Sequence, residues 1–117
     1  MNNGEFFLAD AIDVIEEILN AGGEFRMYPK GTSMLPLIVQ GRDSVVLRKR
    51  VESPDEPLKR HDIAFYRRAN GQFVLHRVMR VQRNGCYTMC GDNQLELEKD
   101  LLPSQIIGYV SQLYKGE

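Results

Sequence analysis

The chain has 117 residues, 43% of them hydrophobic, which fits one compact domain with its own core. Fifteen basic and sixteen acidic residues leave a net charge of -1. This charge provides little long-range attraction for phosphate, so nucleic acid is excluded as an expected partner. No stretch approaches the roughly 18 apolar residues that cross a bilayer, and the N-terminus lacks the pattern of a secretion signal. We therefore expect a cytoplasmic protein with no membrane span.

The N-terminal segment carries apolar residues at three- and four-residue spacing, with acidic residues between them. This pattern predicts one amphipathic helix within residues 1–23 that ends at Gly22-Gly23. Its apolar stripe consists of Phe7, Leu8, Ala11, Ile12, Ile15, Ile18 and Leu19. We expect the stripe to pack on the body of the domain, because most such stripes are core faces. The alternative is that the helix docks a protein partner.

After the helix the pattern changes to short segments rich in β-forming residues. The predicted strands span residues 24–28, 44–50, 62–68, 72–82, 86–90 and 106–114. Asn70-Gly71 and Asn84-Gly85 are strong signals for two-residue hairpin turns, so the middle strands are predicted to form a meander. Residues 53–57, with two prolines, predict a loop, and one helical turn is predicted near Pro103.

Cys86 and Cys90 are the two cysteines of the chain. In a strand they would point to the same face but stand roughly 13 Å apart, which is too far for a disulfide. Two cysteines at this spacing with no neighbouring histidine also make a poor zinc site. We therefore predict that both are small core residues, and we expect no metal and no cofactor.

The segment Gly31-Thr32-Ser33-Met34-Leu35-Pro36 places a serine in an irregular turn. A serine hydroxyl needs a partner that takes its proton, and imidazole has the appropriate pKa. His76 lies on the predicted central strand, with Val74 and Val78 on its own face. That neighbourhood also fits a buried histidine that only makes hydrogen bonds, so both interpretations of His76 are kept at this point.

Further motifs follow the serine segment in a fixed order. They are Gly41-Arg42-Asp43, Asp62-Ile63-Ala64-Phe65, His76-Arg77-Val78, Gly91-Asp92-Asn93 and Ile107-Gly108-Tyr109-Val110. The series resembles that of signal peptidases and LexA-type self-cleaving repressors. Bacterial signal peptidase I and the LexA-type proteins use lysine as the base. Histidine at position 76 makes this chain most similar to the Ser/His branch, the endoplasmic-reticulum and archaeal signal peptidases.

The resemblance implies a mainly β fold. Residues 24–117 would form a LexA/signal-peptidase-like, β-barrel-like catalytic domain of antiparallel strands, preceded by the helix. It also implies a serine endopeptidase, a hydrolase that processes a leader or precursor peptide or protein through an acyl-enzyme. Ser33 would be the nucleophile and His76 the general base. The oxyanion would be held by the Ser33 backbone N–H and the Thr32 hydroxyl, with Met34 beside them at the substrate.

The acid that orients His76 has two candidates. Asp92 matches the motif position, although a carboxylate in Gly91-Asp92-Asn93 can also simply bond to the backbone amides of a turn. Relatives in the Ser/His branch carry a second acid a few residues later, and here that stretch contains Glu98. Asp92 is therefore the first candidate and Glu98 the alternative.

A second class of function is a non-catalytic peptide-binding domain that retains the peptidase fold. It is motivated by Gly31, which stands where some relatives supply a side-chain oxyanion donor, by the two competing candidates for the acid, and by the expected absence of a membrane anchor. A self-cleaving regulator is less favoured, because the roughly 25 residues before the motifs are too few for a helix-turn-helix domain.

Overall fold

The computed structural model describes residues 3–49 and 57–116, and it places side chains of the helix from residue 11 onward. One helix, α1, spans Asn3–Asn20. The strands are β1 (Phe25–Met27), β2 (Ser44–Arg48), β3 (Ile63–Arg67), β4 (Phe73–Val81), β5 (Tyr87–Cys90), β6 (Glu98–Leu101) and β7 (Ile106–Tyr114). A 3-10 turn, Pro103–Gln105, stands where one helical turn was predicted. Residue 50, and the predicted loop at 53–57 except its last residue, lie outside the described ranges.

The strands form one antiparallel sheet in the order β1-β2-β7-β3-β4-β5-β6. This confirms the predicted mainly β fold of antiparallel strands. Among the described residues, β1 and β6 do not pair with each other, so the sheet is open and the expected barrel-like closure is not found. The two edge strands have three and four residues, which is too short a ladder to close the sheet.

The central meander is confirmed, because β3, β4 and β5 are neighbours and β4 lies in their middle. The strand β6 was not predicted. Its sequence, Glu98 to Leu101, is mostly charged, and Leu101 alone of its four residues is buried. Pairing with β5 rather than intrinsic preference makes this segment extended, with Tyr87 opposite Leu101.

The predicted two-residue hairpin turns are wrong in length. Between β3 and β4, Gly71 N–H donates to Arg68 O at 2.8 Å, and Arg68 N–H donates to Gln72 O at 2.8 Å, which encloses a three-residue loop. Gly71 has a φ of 90°, whereas Asn70 does not enter the positive region. Asn70 Oδ1 instead accepts a hydrogen bond from Gln72 N–H at 2.9 Å. That bond holds the asparagine in a type I turn followed by a left-handed glycine, and Gly85 repeats the pattern.

The sheet buries apolar side chains on both faces. On one face α1 packs through Ile12, Ile15 and Leu19, as its stripe predicts. The other members of this first cluster are Met34, Ile38, Val45, Leu47, Ile63, Phe65, Leu75 and Ile107. A second cluster on the opposite face contains Leu58, Ala64, Tyr66, Val78, Tyr87, Met89 and Leu101. In the part of the chain that the structure describes, no helix has the length and apolar character needed to span a membrane.

Candidate active site

The serine turn lies between β1 and β2 and is fastened to the loop that follows β5. Asn93 N–H donates to Ser33 O at 2.8 Å, and Asn93 Nδ2 donates to Thr32 O at 3.0 Å. Asp92 N–H contacts Met34 Sδ at 3.4 Å, and the Met34 side chain is buried in the first cluster. The turn is therefore held from below by apolar packing and from the side by the Gly91-Asp92-Asn93 motif.

His76 and Ser33 meet at Gly91. A Cβ atom at position 91 would lie 2.6 Å from Ser33 O and 3.1 Å from His76 Nε2. Both residues also line one cleft of about 210 Å³, whose walls include Met34, Ile38 and Leu75. The sequence places these two residues far apart, and the fold brings the imidazole Nε2 to the serine turn.

Ser33 is half-buried at the edge of this cleft. Among the described residues its hydroxyl makes no hydrogen bond to a protein group, including His76. Catalytic hydrogen bonds are often long before substrate binds and tighten in the complex, so this arrangement is compatible with a nucleophile and its base. It equally leaves the hydroxyl available to a bound peptide.

The other ring nitrogen of His76 faces a polar group built from three side chains, here called the Tyr66–Glu98–Arg68 group. Tyr66 Oη lies 3.2 Å from His76 Nδ1 and donates to Glu98 Oε2 at 2.9 Å. Arg68 donates to both oxygens of Glu98, from Nε at 2.9 Å and from Nη2 at 3.0 Å. Glu98 Oε2 itself stands 4.0 Å from His76 Nδ1. The acid nearest the imidazole thus reaches it through a tyrosine hydroxyl.

Burial sets the protonation of this cluster. Burial lowers the pKa of His76, which is 3% exposed, and the Arg68 charge lowers it further against the opposing charges of Glu98 and Asp92. Burial and the Glu98 carboxylate raise the pKa of Tyr66. Burial raises the pKa of Glu98, but hydrogen bonds from Arg68 and Tyr66 lower it more, so it stays below its usual range. At neutral pH the cluster holds a neutral imidazole, a protonated tyrosine and an ionised glutamate.

Asp92 pairs with Arg77, which follows His76 on β4 and therefore points to the opposite face of the strand. Its two carboxylate oxygens accept hydrogen bonds from Arg77 Nε and Nη2, each at 2.8 Å. Arg77 also donates to His61 O at 2.8 Å and so ties the loop before β3 to the Gly91-Asp92-Asn93 motif. The geometry thus gives Asp92 a structural ion pair with Arg77, and it places Glu98 rather than Asp92 beside His76.

The loop that carries this motif is also held by Cys90, which is buried, whereas Cys86 is half-buried. Cys90 Sγ lies 3.4 Å from Gly91 O and 3.3 Å from Gln94 O and Glu96 O. Neither cysteine forms a disulfide. Within residues 3–49 and 57–116, no group of three or more His, Cys, Asp or Glu side chains could hold a metal ion.

Replacing Gly91 with alanine is expected to separate the serine turn from His76. The new methyl group would meet the Ser33 backbone oxygen at 2.6 Å, and backbone cannot move aside as a flexible side chain can. We expect the free energy of unfolding to fall by about 1–3 kcal/mol, the usual cost of overpacking, as measured by urea denaturation. Ser104→Ala is the control, because Ser104 is exposed and lies outside the site, and its substitution adds no atom to the protein. An unchanged stability for Gly91→Ala would contradict this close approach.

Sequence reasoning identified Ser33, His76 and Glu98, which the structure brings together, but it missed Tyr66 and Arg68. Tyr66 lies in β3 and Arg68 directly follows it, in a run from Ile63 to Arg68 that looks like an ordinary strand with a charged end. No local signal distinguishes them, because their role depends on β6 folding back across β5. No family model matches the sequence, and a search of curated proteins finds no match.

Proposed function

We propose that this protein is a serine endopeptidase of the Ser/His type. The observation that supports this function best is the close approach of His76 Nε2 and the Ser33 backbone oxygen to the same side of Gly91. We further propose that the open sheet is a variant of the LexA/signal-peptidase fold, as the ordered motifs imply. The substrate would be a peptide or protein precursor whose extended backbone lies in the cleft at Ser33.

In the proposed reaction, Ser33 Oγ attacks the substrate carbonyl carbon while His76 Nε2 takes the hydroxyl proton. The tetrahedral intermediate collapses to an acyl-enzyme, and the imidazolium gives its proton to the departing amine. Water then attacks the ester, again assisted by His76, and releases the second product. The ionised Glu98, 4.0 Å from Nδ1, favours the imidazolium in each step.

The oxyanion would be held by the Ser33 N–H with help from the Thr32 hydroxyl. Position 31 is glycine and contributes no side-chain donor, and its own N–H donates to Gln40 Oε1 at 2.6 Å. Removing one oxyanion donor from a peptidase typically costs about 10²- to 10³-fold in rate. We therefore expect slow turnover, with acylation easier to observe than multiple cycles.

The experiment that tests the function is covalent labelling with a fluorophosphonate, which does not react with an ordinary serine but phosphonylates an activated one with loss of fluoride. We expect stoichiometric labelling of the wild type, with the adduct mapped to Ser33 by peptide mass spectrometry. Ser104→Ala is the matched control, because Ser104 is exposed and does not line the cleft, and it should label like the wild type. An adduct spread over several serines, or no adduct on a folded protein, would contradict the proposal.

The competing function is a non-catalytic peptide-binding domain. The observation in its favour is that the Ser33 hydroxyl and His76 are not hydrogen-bonded to each other, together with glycine at position 31. For such a domain, an extended peptide would bind without any adduct. Isothermal titration with a peptide pool, run beside the labelling, separates the two functions, because the binding domain would show heat and no label.

A further inference from the structure

The hydroxyl of Tyr66 is positioned to decide which nitrogen of His76 carries the proton. Tyr66 is fully buried in the second cluster, and its oxygen stands between a carboxylate and an imidazole. A phenol has one proton to donate, whereas its oxygen can also accept. The direction of this single O–H bond therefore propagates to the histidine.

Glu98 fixes that direction. An ionised carboxylate only accepts hydrogen bonds, and Arg68 holds Glu98 in the ionised form with two donors at 2.9 and 3.0 Å. The Tyr66 proton thus points to Glu98, the closer neighbour at 2.9 Å against 3.2 Å to His76 Nδ1. The tyrosine oxygen is left with lone pairs facing the ring, and Nδ1 must donate to it.

We propose that Tyr66 is a positioning residue that fixes His76 as the Nδ1–H tautomer, leaving the Nε2 lone pair directed at the serine turn. In the opposite tautomer two lone pairs would face each other across 3.2 Å, or the hydroxyl would have to abandon the carboxylate. Tyr66 thereby occupies the place where a triad acid would bond directly to the imidazole. The raised pKa of Tyr66 keeps its proton in place throughout the accessible pH range.

The catalytic meaning of this tautomer rests on the proposed function, but the tautomer itself does not. Nitrogen-15 NMR of the imidazole rings reports which nitrogen is protonated without any substrate. The chain has two histidines, and the exposed His61 serves as an internal reference for an unconstrained ring. A His61→Gln variant assigns the signals.

We expect wild-type His76 to be the Nδ1–H tautomer at pH 8 and Tyr66→Phe to shift it toward the mixture shown by His61. Tyr87→Phe is the matched control. It removes another hydroxyl from the second cluster, one that accepts from Leu58 N–H at 3.0 Å and is not hydrogen-bonded to His76. Its His76 signals should not move. A Tyr66→Phe spectrum that keeps the wild-type tautomer would overturn the inference.

A second variant keeps the inference testable if Tyr66→Phe does not fold. In Glu98→Gln the amide can donate to the tyrosine oxygen, which frees the hydroxyl proton to point at Nδ1. We expect His76 to reverse to the Nε2–H tautomer, and retention of Nδ1–H would count against the inference.

The labelling rate gives a second measurement on Tyr66→Phe. This variant should react with the fluorophosphonate about 10- to 10²-fold more slowly than the wild type, a smaller effect than loss of the base itself. If the wild type never labels but Tyr66→Phe still shifts the His76 tautomer, the proposed function fails and this inference stands.

Discussion

Replacing Ser33 with alanine is expected to abolish both fluorophosphonate labelling and hydrolysis of a fluorogenic peptide library. The methyl group cannot form the ester on which the mechanism depends, so the loss should be complete within detection rather than partial. Ser33 is half-buried and its hydroxyl bonds to no described protein group, so little else changes. Thermal unfolding followed by circular dichroism should give a midpoint close to that of the wild type.

The informative outcome is that Ser33→Ala loses peptide hydrolysis but still binds peptide. Peptides that are cut by the wild type should bind Ser33→Ala and stay intact, as measured by titration calorimetry. Residual hydrolysis in this variant at the wild-type rate would mean that another group, or a contaminant, performs the reaction. Ser104→Ala, prepared in parallel, shows whether loss of hydrolysis is specific to Ser33.

Replacing His76 with glutamine is expected to slow the labelling of Ser33 by about 10²- to 10⁴-fold, the usual contribution of a positioned general base. Glutamine can still bond to Tyr66 and fills most of the space of the ring, so loss of packing is kept small. The measurement is the second-order rate constant of labelling at pH 8. Equal rates for wild type and His76→Gln would contradict a role as base and leave His76 as a core residue.

The pH dependence of the labelling rate distinguishes a general base at His76 from a purely structural residue. Burial and Arg68 lower the pKa of His76 from its ordinary value of 6.5, so the neutral base persists below that pH. The labelling rate should therefore rise with pH, reach half its maximum below pH 6.5 and be flat above it, and His76→Gln should lack this rise.

The stability of the protein should also depend on pH, because His76 binds a proton more tightly in the unfolded chain than in the folded one. The free energy of unfolding should consequently fall as pH decreases through 6.5 toward the lower folded value.

Much of the architecture follows from local pattern. The alternation along β4 predicts that His76 and Val78 share a face, and both lie on the side of the second cluster, with Leu75 on the other. The apolar period of the helix predicts its buried positions, because a stripe of that width has to be covered. These predictions hold because the burial of apolar surface largely determines which face of each helix or strand is turned to the core.

The sequence is less informative where the conformation of a segment depends on its contacts with another segment. Strand β6 has no β-forming run, and its extended form depends on β5, so both the strand and the position of Glu98 were hard to predict. The ranking of Asp92 before Glu98 followed the motif, whereas Arg77 holds both oxygens of Asp92. The hairpin loops differ from prediction because an asparagine side chain can bond two residues ahead and change the turn.

The hydrogen bonds from Asn93 to the serine turn join segments 61 residues apart in the chain. Closing so large a loop costs conformational entropy and comes after local hairpins have formed, so the two halves of the centre remain separate until the last contacts are made. In a growing or partly unfolded molecule, the Ser33 turn is therefore not yet held beside His76. Activity of the proposed kind would then arise only with the finished sheet, when the protein's own strands are paired with one another and cannot enter the cleft as substrate.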